Sequence, residues 1–498
     1  MALYSMVSSW ARSARETPDA PAITVGDEPS ISWTELHRTS NQFARVYAEK
    51  GVRYGDIVTV SLPTSYEAVC AILAIVKLGA TPNPISANMP ENELRPLLEL
   101  AKPRLVIAED GAYPDDIPTV GLHVDLTGVS TDDLREVISP SFKAPTSGGS
   151  TGRPKLIMAG SPALMDDGAE TPGHKLGIPT DGCMLSAGPL YHNTALTLIL
   201  TGLSLRNHVV LERRFDAELT LRLIERHRVE FTLLVPTMMS RIWRLPAEVR
   251  NKYDLSSLVG LHHNAAPMPP ELKRNFIEWL GPDRVYENYT ATEQSAQTLV
   301  SGQEWLERPG TVGRATIGEF EIRDDEGKKC PPGQVGTIYM RRPVGAPRTF
   351  FYIGEPDPEV GGGWHSVGDL GSMDEDGYLY LADRRADLII SGGANVYPAE
   401  VEGVLSAHSE VLDCAVVGLR DDDLGQRVYA IVQPATPDLT AEDLDAFMRE
   451  RLNRYKCPRD YEFVDQPIRN DAGKVRRSAL AAARDGGDRN QATSGVKR

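Results

Sequence analysis

Ten residues, Thr146-Ser-Gly-Gly-Ser-Thr-Gly-Arg-Pro-Lys155, gather glycines, hydroxyls, an arginine and a lysine directly after a predicted strand end. Glycine lets backbone N–H groups approach an anion, hydroxyls add donors, and Lys155 brings neutralising charge, so the segment is suited to wrapping phosphates. A flexible linker would share the small residues but has no use for the closing Pro-Lys. The Walker A order is missing, because neither Gly148 nor Gly149 is followed five residues later by Gly-Lys-Ser/Thr. Kinase and motor-ATPase readings weaken accordingly.

Four further stretches carry groups of the same kind: Tyr289-Thr-Ala-Thr-Glu293, then Gly368-Asp-Leu-Gly371 with Asp376-Gly-Tyr-Leu-Tyr-Leu-Ala-Asp-Arg384, then Leu388-Ile-Ile-Ser-Gly-Gly-Ala-Asn-Val-Tyr-Pro398, and Asn470-Asp-Ala-Gly-Lys474. Tyr289 offers an aromatic face on which a base can stack. Glu293 is a hard oxygen ligand of the kind magnesium takes. Asp369, on a sharp turn between glycines, can accept from two neighbouring hydroxyls. Taken singly, each has an ordinary explanation: a packed tyrosine, a solvated glutamate, a structural Gly-Asp turn, a surface lysine.

The elements that must position these groups alternate along the chain. A capping box, Ser32-Trp-Thr-Glu35, opens a helix that closes near Gly51, and an apolar run spans Ile57 to Leu62. A helix from Tyr66 to Leu78 and a run from Leu105 to Ala108 follow; later a helix from Asp216 to His227 feeds the run Phe231 to Val235. Strands alternating with helices predict layered, doubly wound α/β sheets. After about residue 384 the pattern becomes a small α+β unit, with helices Pro398 to Ser406 and Thr440 to Leu452 and strands Leu412 to Val417, Val428 to Val432 and Tyr461 to Val464. The division is 1–383, a large N-terminal domain, 384–483, a small C-terminal domain, and 484–498, a disordered tail of Gly, Ser, Asn and charge.

A length of 498 residues is too long for one compact core and long enough for two or three domains, so a large catalytic body with an appendage is expected. The formal charge of −16, from 53 basic and 69 acidic side chains, argues against nucleic acid as the main partner. Cys70, Cys183, Cys330, Cys414 and Cys457 form no CxxC pair, so neither a disulfide nor a zinc framework is expected. The longest apolar stretch, around Ala68 to Ala80, is broken by Lys77 and too short to span a bilayer, and a cytoplasmic protein is the expectation.

The phosphate loop, together with the later blocks in their order, closely resembles the acyl-adenylate-forming superfamily, which includes acyl-CoA synthetases, luciferases and the adenylation domains of peptide synthetases. The resemblance spans roughly residues 10 to 483. It implies ATP, Mg2+ and a carboxylic acid as reactants, joined as acyl-AMP with release of pyrophosphate, and coenzyme A as acyl acceptor. It places ATP on Ser147, Gly148, Gly149, Ser150, Thr151, Gly152, Lys155, Asn264, Ala265, Ala266, Asn288, Tyr289, Thr292, Asp369 and Arg384. Glu293 would hold the metal. Lys474 would stabilise charge as pyrophosphate departs, and His192 would shape the acyl pocket or thiol channel rather than transfer protons.

The same resemblance lines the acyl site with His192, Asn193, Leu196, Thr237, Met238, His263, Ala291 and Gln294. These carry no obvious cation for a second carboxylate, so a largely apolar, ring-bearing monoacid is expected. Ser391, Gly392 and Gly393 would line a narrow thiol path, and the hinge between half-reactions falls on Ala386, where Asp or Lys is usual. Thr290 likewise stands where Gly is usual. Two rivals remain: an amide-bond synthetase that passes the acyl group to an amine, and a non-catalytic nucleotide-binding protein. The joint presence of Lys155, Glu293, Asp369, Arg384 and Lys474 disfavours the second.

Overall fold

The computed structural model describes residues 3–109, 113, 117–122, 124–148, 154–166, 172–356, 358–470 and 473–485. Its centre is a run of parallel strands in the spatial order Pro21–Val25, His208–Leu211, Cys183–Ser186, Phe231–Leu234, Gly260–His263 and Val285–Glu287. These strands are short and mostly buried, as a sheet covered on both faces by helices requires. The sheet continues through antiparallel strands Gln297–Ser301, Thr311–Ile317, Leu379–Arg384 and Asp369–Met373. A second, four-stranded parallel sheet is built on Ile57–Ser61, and a three-stranded antiparallel sheet joins Thr146–Gly148, Pro154–Ala159 and Phe350–Ile353.

Local signals set the helix starts. Ser32 accepts from Glu35 N at 3.2 Å ahead of the helix Trp33–Glu49. Among the described bonds the reciprocal half of the expected capping box is absent there, and complete boxes form instead at Ser301 with Glu304 and at Thr440 with Asp443. Asp216 caps Ala217–His227 through Leu219 N at 2.8 Å.

The smaller domain has a core of its own, in which Ile389, Val401, Val416, Val432, Leu444 and Met448 pack together. Its strands Val411–Asp421 and Gly425–Pro434 run longer than expected because they pair as one hairpin across most of their length. One helix, Arg477–Asp485, was not foreseen. It packs Leu480 and Ala481 on Val417, Leu419 and Ile431, and Arg484 pairs with Glu462 while Asp485 accepts from Arg420 N. These contacts carry order past residue 484, where the tail was expected to begin; 486–498 lie outside the described residues. No described helix is long and apolar enough to cross a membrane.

Candidate active site

Parallel strands deliver their ligand-binding groups at their carboxyl ends. Here Gly260–His263 runs into Asn264-Ala265-Ala266, Val285–Glu287 into Asn288-Tyr289, Phe231–Leu234 into the helix carrying Thr237 and Met238, and Cys183–Ser186 towards His192. Four strand ends thus gather most of the residues singled out in the sequence.

Of the phosphate loop, Thr146–Gly148 forms a strand, paired with Pro154–Ala159, while 149–153 lie outside the described residues, so Gly149, Ser150, Thr151 and Gly152 receive no structural account. Lys155 Nζ sits 3.9 Å from the centroid of the Tyr352 ring and donates to Glu355 Oε2 at 3.1 Å. The Tyr352 hydroxyl in turn donates to Glu293 Oε1 at 2.5 Å. Glu293 is buried, and Glu355 Oε1 is buried without a hydrogen-bond partner. Among the described residues no three His, Cys, Asp or Glu side chains gather around a metal position. A magnesium ion here would take Glu293 from the protein and its remaining oxygens from phosphate and water, which suits a hard cation. Bound there, the ion would neutralise charge on the triphosphate.

Tyr289 and Arg384 gather around Asp369, the residue expected at the ribose. Tyr289 donates to Asp369 Oδ2 at 2.6 Å, and Arg384 Nε lies 3.3 Å from Oδ1. Burial, then the neighbouring carboxylate, pushes the Tyr289 phenol far up, so it remains a donor. Asn264 and Asn288 face each other at 3.4 Å, and Asn264 Oδ1 is buried without a partner, an acceptor available to a base amine. Ala265 holds a left-handed φ of 71°, which exposes this short loop at the strand end. Thr292 and Ala291 are half-buried in the turn leading to Glu293.

Lys474 arrives from the smaller domain. Asn470 Oδ1 accepts from its backbone N at 2.9 Å, fixing the turn. The side chain is exposed, yet surrounding protein, then the Arg384 charge, lowers its pKa. His192 is nearby: burial, then the Lys474 charge, pushes it down to about 3, and its Nε2 is buried without a partner. A histidine held neutral at every physiological pH shapes a pocket and offers hydrogen bonds; it does not act as an acid.

The expected acyl positions divide. Asn193 opens the helix Asn193–Ser204, Thr237 and Ala291 are half-buried, and Gln294 takes a left-handed φ of 53°. Leu196, Met238 and His263 are fully or almost fully buried, and serve as backing. The expectation of no cation here is corrected by Lys143. This residue is buried and donates to Asn193 Oδ1 at 2.6 Å and Thr197 Oγ1 at 2.9 Å; burial pulls it down to about 7 against the opposing charge of Glu293. A lysine three positions ahead of the phosphate loop, in a segment otherwise heading into the core, was the available signal. Tyr352 and Glu355 follow no motif.

Gly392 and Gly393 occupy the turn between Ile389–Ser391 and Ala394–Val396, with φ of 58° and 79°. A two-residue hairpin turn alone demands this. Gly392 N donates to Leu424 O, within the smaller domain. Ala386 is exposed in a single 3-10 turn, Arg385–Asp387, between the two domains.

The family described as AMP-binding enzyme matches residues 10–348, and the AMP-binding enzyme C-terminal domain matches 400–474. A 2-succinylbenzoate–CoA ligase of Geobacillus kaustophilus is 33% identical over 484 residues, covering 93% of this chain and 95% of that protein. The solved o-succinylbenzoate CoA synthetase of Bacillus subtilis, in complex with its acyl-adenylate intermediate, superposes with a TM-score of 0.80 at 26% identity, covering 96% of this chain and 98% of that one. The amide bond synthetase of Marinactinospora thermotolerans gives 0.79 at 26% identity, covering 96% and 100%. Matching in both domains and along nearly its whole length, the chain belongs to the AMP-binding enzymes of the acyl-adenylate-forming superfamily, in their acyl-CoA synthetase-like branch.

Proposed function

We propose that the chain is an AMP-forming acid–CoA ligase acting on a bulky aromatic or cyclic acid, with 1–383 as nucleotide and acyl domain and 384–483 as the moving domain that carries the lysine. One observation carries this reading: the turn of the smaller domain that bears Lys474 lies against Thr237, just past the larger domain's strand end Phe231–Leu234, and the Lys474 charge is felt at His192. In the first step a carboxylate oxygen bonds to the α-phosphorus of ATP, the bond from that phosphorus to the bridging oxygen breaks, and pyrophosphate leaves while Lys474 offsets its growing charge. Asp369 and Arg384 hold the ribose, Asn264 and Asn288 the base, Lys155 the phosphates, and Glu293 the magnesium.

In the second step the thiol sulfur of CoA bonds to the acyl carbon, AMP departs with the electron pair of the broken anhydride bond, and the thiol proton goes to solvent. The smaller domain turns about Ala386 so that the hairpin at Ser391-Gly392-Gly393 replaces Lys474. The acids named for the relatives are aromatic, which supports that class here. Five unpaired thiols together with ATP and CoA as reactants support a cytoplasmic setting. A second reading, transfer to an amine, is favoured by the likeness to the amide bond synthetase.

Incubation with Mg-ATP and a panel of aromatic and alicyclic acids, with CoA, amines or neither, tests both. Pyrophosphate release with one or more acids and a thioester product are expected. No pyrophosphate with any acid overturns the ligase reading, and amide without thioester decides for the second.

A further inference from the structure

The turn that carries Lys474 meets the larger domain at the start of a short helix, Pro236–Trp243. At its start, Thr237 lies against Gly473: a Cβ on Gly473 would come within 2.6 Å of Thr237 Oγ1, and Gly473 holds a φ of 72°. Only glycine permits that approach in that conformation. At its end, Arg244 caps the helix and donates across the domain boundary from both terminal nitrogens, to Val411 O and Leu412 O at 2.5 Å each. Those two carbonyls open the strand Val411–Asp421.

A second guanidinium continues the path. Arg469 donates from Nε to Asp413 Oδ1 at 2.8 Å, and from its terminal nitrogens to Cys414 O at 3.0 Å and Gly473 O at 3.3 Å. Burial alone would lower its pKa, but Asp413 and Glu402 raise it, so the charge is permanent. One arginine therefore ties the larger domain to the first residues of a strand, and the other ties the next residues of that strand to the peptide beside Lys474.

We propose that Arg244 and Arg469 are positioning residues, a two-arginine bracket that sets the adenylate-forming orientation. The inference rests on Lys474 being the adenylation lysine. Their parts differ. Contacts made in one of two orientations shift the balance between them by their own strength, and the Arg244 contacts cross the boundary, so they are lost when the smaller domain turns. The partners of Arg469 belong to the smaller domain and move with it, so this residue fixes where the lysine turn sits once docked. Arg476 also reaches across, to Glu93 Oε2 at 2.9 Å; both arginines are exposed, but Arg244 closes on two backbone carbonyls, one of them of buried Val411, whereas Arg476 makes a side-chain ion pair at the surface, and such pairs contribute little.

The test compares Arg244→Ala, Arg244→Lys, Arg469→Met and Glu93→Gln in the full chain, using the best acid from the panel above and its synthetic adenylate. Pyrophosphate release reports the first step, and conversion of supplied adenylate with CoA reports the second. Arg244→Ala is expected to slow the first step about tenfold while leaving the second equal or faster, because the balance moves towards the transfer orientation. Arg244→Lys, retaining charge and one donor group, recovers much of the loss. Arg469→Met slows the first step alone, and Glu93→Gln alters neither by more than about twofold. Equal loss of both steps in the two Arg244 variants, or an unchanged first step in Arg244→Ala, overturns the bracket. A wild-type chain that releases no pyrophosphate overturns instead the function on which it rests.

Discussion

Tyr289 donates its phenolic proton to Asp369 across 2.6 Å, so the carboxylate assigned to the ribose is aimed before any nucleotide arrives. Removing either partner has unequal consequences. Asp369→Ala deletes the acceptor and leaves a half-buried phenol unpaired, whereas Tyr289→Phe leaves Arg384 still beside the carboxylate. Hydrogen bonds to a charged group contribute about 1.5–3 kcal/mol, which is about tenfold to a hundredfold in affinity. Calorimetric titration with a non-hydrolysable ATP analogue should show that loss for Asp369→Ala and a smaller one for Tyr289→Phe. Unchanged affinity in Asp369→Ala removes it from the ribose.

Lys474→Ala separates the half-reactions. Pyrophosphate formation is expected to fall at least about a hundredfold, the scale of losing one transition-state charge partner. Conversion of supplied acyl-AMP to acyl-CoA should continue near the wild-type rate. Equal damage to both steps contradicts domain rotation.

His192, held down to about 3 by burial and then by Lys474, carries no charge between pH 5 and 8. His192→Phe should therefore alter KM for the acid while leaving the shape of the kcat/KM profile over that range intact. A limb lost from the profile would make His192 a proton carrier after all.

Lys77 is buried with Ser40 Oγ and Asn41 Oδ1 each at 2.7 Å, and burial lowers it to about 7 against an ordinary 10.5. Below pH 7 both folded and unfolded forms carry the proton and the full cost of burying the charge is paid. Between 7 and 10.5 the folded form sheds it while the unfolded form keeps it, so this residue makes stability rise with pH, by up to about 1.4 kcal/mol per unit. Denaturant titrations of wild type and Lys77→Met at pH 7, 8 and 9 should differ by that slope. Parallel lines would show Lys77 charged in the fold, held so by its acceptors.

Much of this was legible from local pattern. The run Leu105–Ala108 became a strand with those ends, and the helix expected from Asp216 to His227 forms over Ala217–His227, with Asp216 as its cap rather than its first turn. Lys155, Glu293 and Asp369, proposed for phosphate, metal and ribose, all came from contiguous blocks. Tyr352 could not, because its role arises where the strand Phe350–Ile353 pairs with Pro154–Ala159, and sequence does not announce which strands will meet. Lys143 and Arg244 escaped for the same reason: their partners lie 50 residues or more away. The final helix was missed because its few apolar positions acquire meaning only against the Val411–Asp421 strand.

All five cysteines are buried, three of them, Cys70, Cys183 and Cys414, pushed up to about 12 by burial. At neutral pH such thiols present almost no thiolate to an electrophile. The native chain is thereby a quiet background for maleimide chemistry. Exposed Glu248 of the larger domain and Glu442 of the smaller one could each be replaced by cysteine and dyed without first stripping the natural thiols. Energy transfer between the dyes would then follow the swing of the smaller domain, turnover by turnover, in an otherwise unaltered protein.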